Sequence, residues 1–186
     1  MISEKTLSRE ERALLLFLAR KSIEDYFEGT FSIKVPEPKY SRLFEKRGAF
    51  VTLKKHGNLR GCIGVLEPLY PLYETVQRMA ISAAFEDPRF PPLSPEELPE
   101  IKIEISVLSP MEKANPEDVI VGKHGIYIIK GFNRGVLLPQ VPIEFGWDRE
   151  TFLKHGCLKA GLHPDCYKDP DTELFIFSAE VFEEGE

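Results

Sequence analysis

No apolar run in the sequence approaches the ~20 residues that a membrane-spanning helix needs. The densest apolar stretch, residues 14–18, is short and sits inside an amphipathic pattern, so neither an anchor nor an export signal is expected. Positive charge is also scarce, with 24 Lys and Arg against 30 Asp and Glu and a formal net charge of −6. Broad attraction to nucleic acid or anionic lipid needs clustered cations, and interleaved basic and aromatic residues are missing as well. A nucleic-acid-associated role is therefore the third choice among functions. Cysteine is limited to Cys62, Cys157 and Cys166. An odd set in a large domain reads as reduced thiols of the cytoplasm rather than as a disulfide framework. One exception stays open, a Cys157 to Cys166 bridge, because some hyperthermophile proteins carry intracellular disulfides. The chain also has no G-x-S-x-G, no phosphate-cradling glycine loop and no H-E-x-x-H, which removes the common hydrolase, nucleotide and zinc-protease signatures.

What is present is an ordinary globular composition, 42% hydrophobic and 29% charged over 186 residues, enough for one core. Ser8 with Glu11 forms a capping-box signature, and Ala13, Leu16, Ala19, Ile23 and Phe27 follow at helical spacing until Gly29. Pro36 and Pro38 make residues 31–40 an extended loop. Residues 49–54 and 59–66 suit two strands joined by a turn at His56, Gly57 and Asn58. Pro71 opens a second helix, with Leu72, Val76, Met79, Ala80 and Ala83 on one face, ended by Asp87 and Pro88. Ser94, Pro95 and Glu97 mark one short helical turn. Ile101, Ile103, Ile105 and Val107 alternate with polar residues, the pattern of a strand with one buried face. A loop over 109–125 leads to a second hairpin, 126–130 with 135–138, then to a helix capped by Asp148 and stopped at Gly161, and to a final strand over 172–182. The order hairpin, proline, helix thus occurs twice, and an internal duplication is expected. The fold class is α+β, an antiparallel or mixed sheet with helices.

The chemistry-bearing candidates begin at Leu59-Arg60-Gly61-Cys62-Ile63-Gly64. A strand period of two puts Leu59 and Ile63 on the core face, with Val65, and Arg60 with Cys62 on the other. A guanidinium beside a thiol favours thiolate, which makes Cys62 the candidate nucleophile and Arg60 its electrostatic partner. The competing reading is a small buried hydrophobe. Gly61 and Gly64 weaken a strand and need a reason, such as close approach of a backbone or ligand, so both are candidate ligand-binding positions. Asp87-Pro88-Arg89-Phe90-Pro91-Pro92 is a stiff helix exit in which Asp87 and Arg89 either pin the loop or offer a fork for carboxylate or phosphate. Gln140, after an apolar strand, either ties down its loop or meets a ligand. His155, Cys157, His163 and Cys166 are able to bind zinc. However, His155 and Cys157 diverge on a helix, and Cys157 shares the apolar face of Leu153 and Ala160, so no metal is expected and Cys157 reads as a buried structural thiol. His56 and His124 read as turn and loop residues.

The hexapeptide 59–64, the run Ala83-Ala84-Phe85-Glu86-Asp87-Pro88-Arg89-Phe90, the segment Leu137-Leu138-Pro139-Gln140-Val141 and the tail Lys159-Ala160-Gly161-Leu162 together resemble the AMMECR1 family, in order and across nearly the whole chain. The resemblance implies one domain over 1–186, in which a larger subdomain carrying both termini and a smaller inserted subdomain surround a cleft. It does not imply a reaction, and it leaves the cofactor open. It does imply association with a Memo-like protein or a radical SAM protein. Two functional readings follow: an enzyme or enzyme component that uses Cys62, or a non-catalytic adaptor docking on such a partner.

Overall fold

The computed structural model describes residues 6–186 and divides them into two compact units. The first runs to Leu108 and resumes at Glu180–Glu186, and the second is Ser109–Ala179. The fold is α+β, as the sequence patterns predict, with two four-stranded antiparallel sheets. Among the described residues no helix is long and apolar enough to cross a membrane.

In the first unit, helix α1 (Arg9–Phe27) starts at the expected capping box: Glu11 N–H donates to Ser8 Oγ, and the Glu11 carboxylate accepts from Ser8 N–H at 2.8 Å. Strands β1 (Ala49–Lys55) and β2 (Asn58–Val65) form the first hairpin. Helix α2 (Leu72–Phe85) follows Pro71 and packs on both strands. Strand β3 (Ile101–Leu108) pairs antiparallel with β1. The alternating isoleucines of β3 are all buried beside Val51, Leu53, Leu15, Ile23, Val76 and Ala80, so one face of the sheet and the two helices share a core. The sheet order is β2-β1-β3-β8, which leaves β2 on an edge.

In the second unit, β4 (Glu112–Lys113), β5 (Gly125–Lys130), β6 (Asn133–Leu137) and β7 (Glu173–Phe177) form a sheet of order β4-β7-β5-β6. A short helix α3 (Val141–Phe145) precedes α4 (Arg149–Lys159), whose Asp148 cap accepts from Thr151 N–H as expected. Phe152, Leu153, Ile126, Ile128 and Leu174 make a separate core.

Three expectations are corrected here. The final strand is two strands: β7 serves the second sheet and β8 (Ala179–Glu183) the first, with Ser178 between them, whose C=O accepts from Ser109 N–H and whose N–H donates to Ser109 Oγ. Cys157 and Cys166 are joined in a disulfide with α-carbons 5.8 Å apart, the exception left open above, which overturns the reading of all three as unpaired thiols and leaves Cys62 as the free cysteine. Cys157 is buried as predicted, but as half of a bridge from α4 to the turn at Cys166–Lys168 rather than as a thiol. That leaves the four-residue zinc set without free thiols, while His155 stacks on Trp147 and His163 Nε2 lies 2.8 Å from Asp169. Third, the period-two reading of 59–64 fails at one residue. Gly61 pairs with Leu53 and Leu59 with Lys54, so Arg60 is the extra residue of a bulge. A bulge reverses sidedness for everything on its far side. Leu59 therefore lies out in solvent, 44% exposed, and Arg60 turns inward at 8% exposure.

Candidate functional site

The site grows from the edge position of β2. Cys62 lies opposite Thr52 on β1, and Thr52 Oγ1 donates to its sulfur at 3.2 Å. An antiparallel pair whose side chains approach this closely is a non-hydrogen-bonded pair, so the peptide groups of Cys62 point away from β1, where no further strand follows. The segment after α2 supplies their partners. Asp87 Oδ2 accepts from Cys62 N–H at 2.9 Å, and Arg89 Nη2 donates to Cys62 C=O at 3.2 Å. Asp87 also takes Arg89 Nε at 3.0 Å, Nη2 at 2.8 Å and backbone N–H at 3.1 Å. A carboxylate and a guanidinium thus do for Cys62 what a neighbouring strand would do, and they block strand addition at the middle of this edge.

The electrostatics follow from the same contacts. The guanidinium of Arg89 holds the buried Asp87 carboxyl well below the usual carboxylate range, helped by Cys62 N–H and opposed by burial. In return Asp87 raises the Arg89 pKa. The pair is asymmetric in access: the Asp87 side chain is 2% exposed and that of Arg89 55%. Arg89 Nη1 makes no hydrogen bond among the described residues, and the guanidinium lies 5.6 Å from the Phe90 ring centroid.

Arg60 is elsewhere. Its Nε and Nη2 form a fork on Glu97 at 2.9 and 3.0 Å, and Nη2 also reaches Pro91 C=O. That fork drives the Glu97 carboxyl far below its ordinary range, with Ser94 N–H and Lys55 adding to the effect. Arg60 therefore fastens the loop after α2 to the sheet and does not flank the Cys62 thiol. Nor do the two glycines open an approach. A side chain at Gly61 would run into the Ala83 carbonyl of α2, and one at Gly64 into the Phe50 ring across the strand. Both are packing positions.

Of the residues singled out in the sequence, the structure brings together Cys62, Asp87 and Arg89 and directs Arg60 away. Gln140 belongs to the second unit; it is exposed, and its backbone C=O accepts from Glu144 N–H at the start of α3. Thr52, Phe90 and Glu97 were missed by sequence reasoning. Glu97 has a local signal, the Ser94 capping box, but nothing in the chain order marks Thr52 as the partner of Cys62. Across β1 and β3 the row continues from Cys62 through Thr52 to Glu104, whose carboxylate is held by Lys54 at 2.6 Å. Among the described residues the Cys62 sulfur has a hydroxyl as its polar partner and no imidazole or carboxylate at hydrogen-bond distance.

The chain belongs to the AMMECR1 family, whose pattern it matches over residues 16–182. It is 52% identical over 190 residues to protein MK0488 of Methanopyrus kandleri, covering 97% of this chain and 91% of that one. A protein of Thermococcus gammatolerans is 50% identical over 181 residues, with 91% and 88% covered. The crystal structure of the uncharacterized protein PH0010 from Pyrococcus horikoshii superposes with a TM-score of 0.83 at 45% identity, over 92% of this chain and 90% of that one. The function of these relatives is not established, and none assigns a reaction to the chain.

Proposed function

We propose that the chain is a non-catalytic binding module, and that Arg89, held rigid on the edge of β2, is the contact it offers to an acidic group of a partner protein. The observation that carries this reading is the Asp87–Arg89 clamp, which spends a buried carboxylate on fixing a guanidinium that remains half in solvent. A pre-oriented guanidinium with a free Nη1 suits a carboxylate or phosphate, because little side-chain freedom is lost on binding. The Cys62 sulfur has a threonine hydroxyl as its hydrogen-bond partner, and the Arg89 guanidinium that interacts with it electrostatically is already paired with Asp87, whereas nucleophilic cysteines also need a general base within reach of the sulfur. The adaptor reading is therefore favoured over the Cys62 enzyme. The family resemblance points to a Memo-like or radical SAM protein as the partner.

The test is calorimetric titration of the chain with a purified Memo-like protein and, separately, with a radical SAM protein. Arg89→Gln is expected to weaken the interaction by about tenfold or more, the range for a charge-assisted contact, while Cys62→Ala leaves it within about twofold. Equal affinity of Arg89→Gln and the parent refutes the assignment. Absence of binding to both proteins removes the partner class.

A further inference from the structure

Helix α1 carries more apolar surface than its own core uses. Leu15, Ala19 and Ile23 are buried in the core shared with α2 and the sheet, and Leu18 and Ser22 are buried as well. A second stripe, at residues 9, 12, 13, 16, 17, 20, 21 and 24, follows the same helical spacing on a different face and lines a groove of about 690 Å³ whose opposite wall is Phe182 and the chain end. The middle of this stripe is apolar, with Leu16 half-buried and Phe17 59% exposed. Its ends are charged, Arg9 at one and Glu24 at the other.

We infer that this stripe is the seam of a two-fold homodimer in which α1 packs antiparallel on α1 of a second copy. Isologous contacts require a patch complementary to itself, and the stripe meets that requirement. A two-fold axis between Leu16 and Phe17 sets Phe17 of each copy against Leu16 of the other and directs both rings to the grooves floored by Phe182. The same axis sets Arg9 against Glu24 of the second copy. Both ends are available: Arg9 is exposed and has no ion pair among the described residues, and Glu24 has a single long ion pair, to Lys21 at 4.0 Å, with only a weaker electrostatic contact to Arg20. The remaining facing positions do not oppose the pairing. Arg12 and Lys21 would meet, but Arg12 is neutralised by Glu180 at 2.9 Å and Lys21 by Asp25 at 3.0 Å. Arg20, opposite the small Ala13, is turned onto Glu184 and the carbonyls of Leu98 and Ile101. At ~1.5 Å per residue, the stretch of α1 from Arg9 to Glu24 gives a seam of about 23 Å. This surface is separate from Cys62 and Arg89, so the inference does not depend on the binding role proposed for them.

The experiment is sedimentation velocity of the full chain across the micromolar range. A monomer–dimer equilibrium is expected, and Phe17→Glu should raise its dissociation constant about tenfold or more. Arg9→Glu and Glu24→Arg should each weaken the dimer by about tenfold, and the double variant should recover most of the loss, because a charge swap restores only pairs that touch. Circular dichroism checks that α1 persists, and the charge swap remains decisive if Phe17→Glu disturbs it. A chain that is monomeric throughout, a dimer indifferent to Phe17→Glu with α1 intact, or a double variant that recovers nothing would each overturn the inference.

Discussion

Replacing Asp87 by Asn tests the clamp with almost no change of shape. In the native chain the carboxylate takes four donors, from Cys62 N–H, Arg89 N–H, Nε and Nη2, at 2.8–3.1 Å. Asparagine keeps one oxygen and, in either orientation, places an amide donor against the guanidinium and one backbone N–H, that of Arg89 or of Cys62. A buried donor left facing another donor costs about 1–3 kcal/mol, and hydrogen bonds to a charged group contribute about 1.5–3 kcal/mol each. Arg89 is half exposed, so water replaces much of what it loses, and the net expectation is about 2–4 kcal/mol. For a chain of this length that is a fall in melting temperature of about 5–15 °C. The pH dependence has a definite sign. The Asp87 pKa is lower in the folded than in the unfolded chain, so its contribution is complete above about pH 5 and shrinks as the pH falls through the unfolded value of about 3.9 toward the native one. Glu97 shifts in the same direction but is common to both proteins and cancels in the difference. Trp147 belongs to the second unit, so its fluorescence is the wrong probe. Hydrogen exchange of peptides spanning β2, with urea unfolding followed by circular dichroism, reads the correct region. A parent-to-variant gap below about 0.5 kcal/mol at neutral pH, or one that persists undiminished at acidic pH, refutes the clamp.

Two further outcomes are expected. Gly61→Ala should destabilise the chain by about 1–3 kcal/mol in urea titration, because its methyl group meets the backbone of α2 rather than a movable side chain; a neutral result would mean that α2 yields freely. Cys157→Ser should cost about 2–3 kcal/mol, the chain-entropy value for closing a loop of this length, and alkylation followed by mass analysis should find Cys62 as the one free thiol; three alkylated cysteines in the native, unreduced protein would overturn the bridge.

Most of the fold was legible because it rests on local signals. The capping box at Ser8, Pro71 before α2, the alternating isoleucines of β3 and the Asp148 cap each act within a few residues, and each stands where the pattern puts it. What failed to be legible depends on distant partners. The split of the last strand at Ser178 reflects the two sheets that claim its halves, and continuous apolar alternation over 172–182 conceals it. The bulge at Arg60 is invisible for the same reason: period two is a default, and it is broken here by a fork on Glu97, a residue 37 positions away. Because sidedness depends on every residue between a turn and a site, that one insertion separated Arg60 from Cys62 and left Arg89, not Arg60, as the guanidinium near the thiol.

The repeated order hairpin, proline, helix bears on which residues the fold itself requires. Both sheets share a topology, since β2-β1-β3 and β6-β5-β7 each place the hairpin's second strand on an edge and the next long strand beside its first. The match extends to a glycine. A side chain at Gly61 would strike the backbone of α2 at Ala83, and one at Gly135 the backbone of α4 at Gly156 and Ala160. Close strand-to-helix packing is thus a property of the repeated unit and explains both glycines without a ligand. The clamp is not repeated. In the second unit the end of α4 is tied to its edge hairpin by Asn133 Nδ2 donating to Ala160 C=O, and no carboxylate and guanidinium cover the β6 edge among the described residues. A hairpin packed under a helix can therefore be built without Asp87 and Arg89. Their presence on β2, where they bind the peptide groups of Cys62 and hold a guanidinium at the surface, is the feature that the architecture alone does not demand, and it is there that a partner contact has a physical basis.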